Sequence, residues 1–524
     1  MTLPSRPVVR AVFAVVVLTA GGVVAVSYVT ADANVARSQI PDDRSPTLPA
    51  DDRSIGDRPD VSTVDGTPGG DDSENRLAGT SARTLDPDNV TESDPGTPGG
   101  LTVVATQGFY TSNERAELVV FDADGDVVYY DSTYRVYFDV DPIPEKQYTV
   151  EFVAARHLDG ADCADVRTER CTYNTVQRVN LTTGERREVY GEVTPQITSG
   201  RWHDVDRVNG THLAIADIVR DSVRVVDTRT NRTTWEWSAS DAYDPDQGGA
   251  EGDWTHINDV EVLQDGRFMV SVRNMDQVVF VEPGEGVQGN WTLGEDDNYD
   301  ILYEQHNPDY IPAERGGPAI SVADSENNRV LEYQRIDPET GEPTTASDGE
   351  WVRSWGWRDS RFQWPRDADR LPNGNTLVSD THGDRIAEVD PDGTVVWNVT
   401  VSMPYEVERL GTGDESSGGQ SMARLREERA ANESLPPTGA VTHPDRTVVE
   451  IVWLGLKDTV PSLPVNGLLF ALPAWVRFPD LVFGGLFLVS GLAWLCCEVY
   501  WSRYRPIEYL RRLPERTGLA LDRR

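Results

Sequence analysis

Histidine is the residue type whose placement in this chain could support chemistry. The 524-residue sequence has seven histidines, and His203, His256 and His306 each stand three residues before an acidic residue in a repeated pattern. A neutral imidazole can act as a nucleophile, as a general acid or base, or as a metal ligand. Arg273 lies in the unit that begins at His256, and uncharged residues occupy its matching positions in other units. A cation confined to one unit suggests an anion-binding site, with a surface salt bridge as the alternative.

The elements that must position these residues are short strands. Between residues 100 and 412 the sequence shows alternating strand patterns separated by Asp-Gly and Asn-Gly turns, with no long helical period. The variable position of the repeated pattern is occupied in turn by Phe138, His203, His256, His306, Arg366 and Tyr405. The last unit has room for little more than its first strand, and residues 101–131 hold the missing strands. The sequence therefore predicts an all-β fold, a six-bladed β-propeller closed by joining its N- and C-terminal strands.

A propeller fold has consequences for these variable positions. Equivalent positions lie at equivalent heights around the central axis, so we expect the six variable residues to form a ring at one mouth of the channel. The structural alternative is that each polar residue only bonds the backbone of the next blade. The repeated acids recur with the fold and are interpreted as strand-linking residues; they are Asp206, Asp259, Asp309 and Asp369.

The segments outside the repeats predict a membrane-bound chain. Residues 1–30 are interpreted as an N-terminal transmembrane anchor or signal-anchor, with a cleaved signal peptide as the alternative. Residues 31–99 predict an acidic, disordered tether, and residues 413–462 a loop and linker. Residues 463–502 predict an interfacial segment plus a transmembrane helix, followed by a basic tail at 503–524. Arginines flank both spans, so both termini are expected in the cytoplasm and the propeller on the extracellular side of the cell membrane.

Composition narrows the range of partners and environments. The net charge is −39 and the sequence pI is about 4.5, and the lysines are Lys146 and Lys457. This acidic, lysine-poor composition is typical of a protein adapted to high salt, and it disfavours nucleic acid as a partner. Cys163 and Cys171 flank a short polar stretch and could form a disulfide or remain two free thiols. The asparagines of Asn-x-Ser/Thr sequons, which predict a glycoprotein if they face outward, are Asn89, Asn180, Asn209, Asn231, Asn290, Asn398 and Asn432.

Residues 100–410 resemble a known family. The stretch Asp253-Trp-Thr-His256-Ile-Asn258, then Arg273, then Gln305-His306-Asn307 is similar to the aryl sulfotransferases that use no nucleotide sulfate donor. The resemblance implies a six-bladed propeller with its active site at the axis. It also implies ping-pong transfer of a sulfuryl group from an aryl sulfate donor to a phenolic acceptor through a sulfated histidine.

The resemblance also implies residue roles. His306 would be the nucleophile, His256 and Asn258 would contact the sulfate oxygens, and Arg273 would supply positive charge. His203 would serve as acid, base or oxygen ligand. Because Arg366, Tyr405 and Phe138 belong to the predicted ring, we expect them to bind substrate. No cofactor or metal is expected. The family pattern includes an N-terminal sandwich domain, whereas this chain has the predicted tether in that place.

Two other functions remain open from the sequence. Three histidines on one axis could hold a divalent metal with an open position, making a hydrolase or lyase. Arg273 and Arg366 argue against that site, because cations near a metal ion are unfavourable. The other alternative is a non-catalytic extracellular propeller for binding or envelope assembly, since fold alone does not establish function.

Overall fold

The computed structural model describes residues 5–30, 85, 98–108, 116–143, 146, 148–196, 200–250, 252–431, 448–473 and 476–502. The chain divides into two compact units, one made of residues 1–34 and 472–524 and the other of residues 35–471. The predicted tether and basic tail, together with Asn89 and Asn432, lie almost wholly outside the described residues. The larger unit holds six antiparallel sheets arranged as the blades of a propeller.

The strands of the blades run in chain order, and the last strand returns to the first blade. Blade 1 contains β1 (Thr102–Thr106), β2 (Leu118–Phe121) and β3 (Val127–Asp131), and blade 2 contains β4 (Val136–Pro142), β5 (Thr149–Asp159), β6 (Arg170–Asn180) and β7 (Arg186–Pro195). Blade 3 contains β8 (Val205–Asn209), β9 (His212–Asp217), β10 (Ser222–Asp227) and β11 (Arg232–Ser238). Blade 4 contains β12 (Ile257–Val262), β13 (Phe268–Val272), β14 (Gln277–Glu282), β15 (Gly286–Val287) and β16 (Leu293–Gly294). Blade 5 contains β17 (His306–Ile311), β18 (Ala319–Asp324), β19 (Arg329–Ile336) and β20 (Glu350–Trp357). Blade 6 contains β21 (Pro365–Arg370), β22 (Thr376–Asp380), β23 (Arg385–Val389) and β24 (Val395–Thr400), and β25 (Pro404–Arg409) completes blade 1.

The circle is closed by the two ends of the repeat region. Strand β25 pairs antiparallel with β1, with Val103 opposite Glu408, and the sheet order of blade 1 is β25-β1-β2-β3. The innermost strand of this blade therefore comes from the C-terminal end and the other three from the N-terminal end. The predicted six-bladed fold and its mode of closure are confirmed. The closure gives the edge of β1 a hydrogen-bonding partner in the completed circle.

The core lies between adjacent blades. The residues of β13 are all buried, as are those of β18 and β22. Because each blade is covered on both faces by its neighbours, the sequences of these strands are nearly continuous apolar runs. Between blades 3 and 4, for example, Val223 and Val225 share one cluster with Val260 and Val270.

Carboxylates of the innermost strands link one blade to the next. Asp139 accepts a hydrogen bond from the Val205 N–H at 3.0 Å, and Asp367 accepts one from the Val407 N–H at 2.8 Å. Asp206 likewise accepts the N–H of Val262 at 2.5 Å. Of the four repeated acids interpreted as strand-linking, Asp206 makes such a bond, whereas Asp309 accepts from the Ser416 hydroxyl and an oxygen of Asp259 and of Asp369 has no partner among the described residues.

The smaller unit contains two long apolar helices, α1 (Arg6–Thr30) and α5 (Phe478–Trp501). Both are long and apolar enough to cross a membrane. They pack antiparallel, since Arg10 pairs with Glu498 at 2.5 Å and Phe13 stacks on Trp494. The first residues of α1 and the last residues of α5 therefore lie at the same end of this helix pair.

Three shorter helices precede α5 in the larger unit. They are α2 (Met422–Ala431), α3 (Val448–Thr459) and α4 (Ser462–Ala471). Helix α4 lies in the first part of 463–502, where the sequence predicted an interfacial segment. Elsewhere, Cys163 and Cys171 form a disulfide that joins the 3-10 helix at 160–166 to the start of β6.

Candidate active site

The residues at the beginnings of the innermost strands meet around the axis at one mouth of the propeller. The ring of His203 lies 4.3 Å from that of Phe138, 5.1 Å from that of His256 and 5.8 Å from that of Tyr405, measured between centroids. The rings of His306 and Tyr405 are 6.0 Å apart. Residues far apart in sequence thus line one small space at the channel mouth.

His306 begins β17 and is 1 % exposed. Its Nδ1 lies 3.0 Å from the Glu304 carbonyl oxygen and 2.9 Å from the Ser325 hydroxyl. The Ser325 hydroxyl itself donates to the Pro365 carbonyl at 2.6 Å, so it accepts at its other side. The third neighbour of Nδ1 is Arg366 Nη1 at 2.8 Å, which lies closer still to Nε2 and can donate there. With two acceptors at Nδ1 and this donor at Nε2, we assign the proton to Nδ1 and the lone pair to Nε2.

Electrostatics keep this imidazole neutral. Burial, followed by the charges of Arg366 and Arg273, holds the pKa of His306 well below its usual range. Neutral His306 therefore presents Nε2 as an unprotonated nitrogen at physiological pH. The group has the protonation state that a nucleophile requires.

Arg366 lies directly against the imidazole. Its Nη1 donates to Nε2 of His306, and its guanidinium stacks over Trp364 at 3.6 Å from the ring centroid. The side chain is buried and its Nε has no partner among the described residues. Burial lowers the pKa of Arg366 to about 10, which leaves it charged at neutral pH. The site thus holds a buried cation with spare donors beside Nε2.

His256 is paired with a carboxylate at the same mouth. Its Nδ1 donates to Asp253 Oδ1 at 2.6 Å, which leaves Nε2 as the unprotonated ring nitrogen. Burial and Arg273 lower the pKa of His256, whereas the hydrogen bond and charge of Asp253 act to raise it. The backbone of His256 has a φ of 47°, a left-handed conformation that costs about 1–3 kcal/mol in a residue of this type. Such a residue next to a carboxylate is suited to moving protons.

Arg273 follows β13 and faces the same region. Its Nε donates to Asn274 at 2.9 Å, and acidic groups lie farther off, with Asp253 at 3.9 Å and Glu304 at 3.7 Å. Its charge depresses the pKa values of His203, His256 and His306. Arg273 therefore contributes positive potential to all three histidines.

The other ring members are buried and incompletely paired. Burial, followed by the charges of His256 and Arg201, holds the pKa of His203 well below its usual range. Neither its Nδ1 nor the hydroxyl of Tyr405 has a partner among the described residues. Phe138 packs against both of these rings, at 4.3 Å from His203 and 4.7 Å from Tyr405. Phe138 and Tyr405 therefore form an aromatic wall beside His203, and the Arg366 guanidinium lies 5.8 Å from the Tyr405 ring centroid.

One part of the repeat alignment is wrong. In β21, Pro365 and Asp367 pair with β22 and the residue between them bulges inward. In β12 the bulging residue at the same place is Asn258, because Ile257 and Asp259 are the paired neighbours. Asn258, rather than His256, is thus the structural counterpart of Arg366. In blade 4 the residue that joins the ring is His256, which lies two places before Asn258 in the loop that precedes β12.

Asn258 is committed to the protein backbone. Its Nδ2 donates to the Gln305 carbonyl at 2.9 Å, and its Oδ1 is buried without a partner among the described residues. Gln305 in turn donates from Nε2 to the Gln277 carbonyl at 2.7 Å. Asn258 therefore holds the peptide immediately before His306. This contact differs from the sulfate contact that the resemblance implied.

Helix α4 lies beside the ring at the same mouth. Asn466 is buried and donates from Nδ2 to Glu326 at 2.9 Å, while Gln363 donates to its Oδ1. Glu326 also accepts the indole N–H of Trp364, the ring on which Arg366 stacks. A continuous set of contacts thus connects α4 to the site.

Several of these residues were not identified from the sequence. They are Asp253, Glu304, Ser325, Trp364 and Asn466. Asp253 lies inside the motif that resembles the family, and Ser325 occupies in the His306 unit the position that matches Arg273. Both residues could therefore have been identified from the sequence. Asn466 could not be identified in this way, because its segment shows only apolar composition.

Comparison with known proteins points to one family. The model of the arylsulfotransferase (ASST) family matches residues 203–402, which span blades 3 to 6. No curated protein matches the chain. Among solved structures, the chain is similar to a protein of unknown function from Bacteroides caccae, at 10% identity and a TM-score of 0.40, covering 59% of this chain and 98% of that one. It is also similar to a periplasmic gluconolactonase from Pseudomonas aeruginosa, at 14% identity and a TM-score of 0.37, covering 59% and 99%. The family match suggests a sulfotransferase on the propeller fold.

Proposed function

We propose that this protein transfers a sulfuryl group from an aryl sulfate to a phenol, with His306 as the nucleophile. The observation that carries the proposal is the environment of His306. Its Nδ1 proton faces two acceptors, and its Nε2 lone pair faces a buried arginine. The family match over residues 203–402 supports the same chemistry.

The first half-reaction uses the His306 lone pair. Nε2 attacks sulfur, the bond from sulfur to the aryl oxygen breaks, and the phenolate leaves with that electron pair. Arg366 moves from Nε2 onto the sulfate oxygens, where a preorganised donor stabilises developing charge. The Nδ1 proton remains on the sulfated ring, held by the Glu304 carbonyl and Ser325.

The second half-reaction restores His306. An acceptor phenol gives its proton to a ring nitrogen, its oxygen attacks sulfur, and the bond from sulfur to Nε2 breaks. We assign this proton transfer to His256, because Asp253 occupies Nδ1 and stabilises the protonated ring. The protonated ring can then supply the proton to the next departing phenolate.

The other ring residues fit supporting roles in this proposal. His203 and Arg273 lie where they can contact sulfate oxygens or add positive potential. Phe138 and Tyr405 offer an aromatic surface for the phenyl ring of donor or acceptor. Asn258 acts as a positioning residue for the strand that presents His306. Membrane attachment through α1 and α5, with the propeller on the outer side, belongs to the same proposal.

The arrangement favours this reaction over metal-dependent hydrolysis at the histidines. A metal ion bound by the three histidines would need Nε2 of His306, and Arg366 donates to that atom. Within the described residues, the candidate metal-binding groups contain carboxylates only.

Intact-protein mass spectrometry tests the proposal directly. The full chain is purified in detergent and high salt and incubated with 4-nitrophenyl sulfate. We expect the mass of one sulfuryl group to be gained, then lost after a phenol is added. His306→Ala should abolish the gain, whereas His212→Gln should retain it. His212 is the matched control because it lies in blade 3 and bonds Thr211 and Asn209. No mass gain from folded protein, or an equal gain in His306→Ala, would refute the assignment.

A further inference from the structure

Below the ring, the axis of the propeller is lined by carboxylates in two tiers. The upper acidic tier consists of the residues that follow the ring residue in five blades and that follow Asn258, its structural counterpart, in blade 4. They are Asp139, Asp204, Asp259, Asp367 and Glu406, with Asn307 at the sixth place. The lower tier consists of Asp141, Asp206, Glu261, Asp309, Asp369 and Glu408. All six members of the upper acidic tier are buried.

The inter-blade hydrogen bonds of this tier fail in one sector. In four blades a backbone N–H of the innermost strand donates to a carboxylate of the previous blade; the donors are Val140, Val205, Val260 and Val407. In blade 6 the corresponding N–H, of Ala368, instead bonds Asp367 of its own strand, and in blade 5 the corresponding residue is Pro308. Proline has no N–H, and Asp259 Oδ2 is left without a partner among the described residues. The same strand carries Asn307 in place of a carboxylate. Blade 5 therefore lacks both the N–H donor and the carboxylate acceptor by which the tier links one blade to the next.

Asn307 is an independent sign of a ligand. Its Nδ2 donates to Glu406 Oε2 at 3.2 Å, and its Oδ1 is buried without a partner in the described part of the chain. Tyr405 has an unpartnered hydroxyl and lies within the electrostatic reach of Glu406, Asp259 and Asp204. Asp139 Oδ1 is also unpartnered. Buried oxygen atoms that lack donors thus collect at one level of the axis, although buried polar atoms are normally paired.

The spacing of the oxygen atoms suits one ion. One oxygen from each of Asp139, Asp141 and Glu406 lies within 4.8 Å of the other two. Oxygen atoms bound to one Ca²⁺ at about 2.3–2.6 Å are separated by no more than about twice that distance. Burial and the neighbouring carboxylates Asp141 and Glu406 raise the pKa of Asp139 well above its usual range.

We propose that the two tiers together bind one hard divalent cation of the Ca²⁺ class on the propeller axis, with Asp139, Glu406 and the Asn307 amide oxygen of the upper acidic tier and Asp141 of the lower tier as ligands. The donor set is all oxygen and contains no nitrogen or thiolate, which disfavours zinc and other transition metals. Its members come from several strands in an irregular arrangement, which suits Ca²⁺ better than the strict octahedron of Mg²⁺. The ion connects β25, the closing strand of blade 1, to β4 of blade 2. It also holds Asn307, the residue that follows His306.

Calcium binding to the full chain tests the proposal without any sulfuryl-transfer assay. The detergent-solubilised protein is stripped with EDTA, exchanged into chelator-free KCl buffer, and titrated with CaCl₂ by calorimetry and thermal unfolding. We expect one Ca²⁺ per chain and a rise of a few degrees in Tm. In Asp139→Asn both effects should be lost, while the fold persists because the amide oxygen can still accept the Val205 N–H.

A control in the same tier separates binding from structural damage. Asp204→Asn removes a carboxylate that accepts the Val260 N–H and is not among the assigned ligands. It should keep the Ca²⁺-dependent rise in Tm even if its metal-free Tm changes. Absence of stoichiometric binding in the wild type, or full binding in Asp139→Asn, would overturn the proposal. Loss of binding in Asp367→Asn but not in Asp139→Asn would place the ion at Asp309, Asp367 and Asp369, and would also overturn it.

Discussion

Replacing Arg366 by methionine removes a buried cation that contacts the proposed nucleophile. Arg366 stacks on Trp364 and donates to Nε2 of His306, and methionine retains much of the apolar stem. Loss of one preorganised donor to an oxyanion costs about 2.7–4 kcal/mol of transition-state stabilisation, or roughly 10²–10³-fold in kcat. Because the guanidinium is fully buried, we expect a loss toward the upper end of this range.

The same substitution should change the pH profile. After burial, the charge of Arg366 is the main cause of the low pKa of His306. Without that charge the pKa of His306 rises toward its ordinary value. Protonated His306 has no free lone pair, so the decline in sulfation rate at low pH should move to higher pH in the variant.

The assay is single-turnover sulfation followed by mass spectrometry across a pH series, with Tm measured for each variant. Arg335→Met is the matched control, since Arg335 is also buried and stacks on a tryptophan, at 4.3 Å from the Trp291 ring centroid. It lies in β19, away from the ring, and should lower stability without changing the sulfation rate. If Arg366→Met loses no more activity than Arg335→Met, or keeps the wild-type pH profile, the assigned role of Arg366 is wrong.

Two further predictions concern the neighbours of the ring. Asp253→Asn should lower the pKa of His256, because the charge and hydrogen bond of Asp253 raise it. The acid limb of kcat/KM that is governed by His256 should therefore move to lower pH. Replacing the charge-assisted hydrogen bond by a neutral one should also reduce the rate about tenfold. An acid limb that stays in place or moves upward would contradict the pairing of these two residues. Asn466→Ala should leave the Glu326 carboxylate without one donor, at a cost of about 1–3 kcal/mol. We expect faster amide hydrogen exchange across residues 462–471, while β17 keeps its protection against exchange. Unchanged exchange in α4 would show that Asn466 does not hold the helix in place.

Much of the fold could be predicted because repeats encode it locally. The Asp-Gly and Asn-Gly turns mark strand ends, and a blade cannot bury its faces without neighbours, so six units imply a closed circle. The shortened last unit and the extra strands at 101–131 specified how the circle closes, and the pairing of β25 with β1 has that form. The disulfide between Cys163 and Cys171 was one of two open alternatives, because spacing alone does not distinguish a bonded pair from two thiols.

The sequence also determined which residues face one another at the axis, since equivalent positions of a propeller lie at equivalent heights. It failed in blade 4, where the bulge at Asn258 displaces the alignment by two residues. A bulge depends on how two strands pair, and the repeated acid looks the same in either register.

Only the tertiary structure decided the chemical state of each group. The proton position on His306 depends on the Glu304 carbonyl in the loop before β17 and on Ser325 in the turn after β18, which meet at Nδ1. The low pKa values of the histidines depend mainly on burial, which no single unit possesses by itself. The docking of Asn466 depends on contacts across more than one hundred residues of chain. Sequence patterns specify which residue types recur and where strands turn, whereas protonation and charge depend on the solvent exclusion and close neighbours that the assembled blades create.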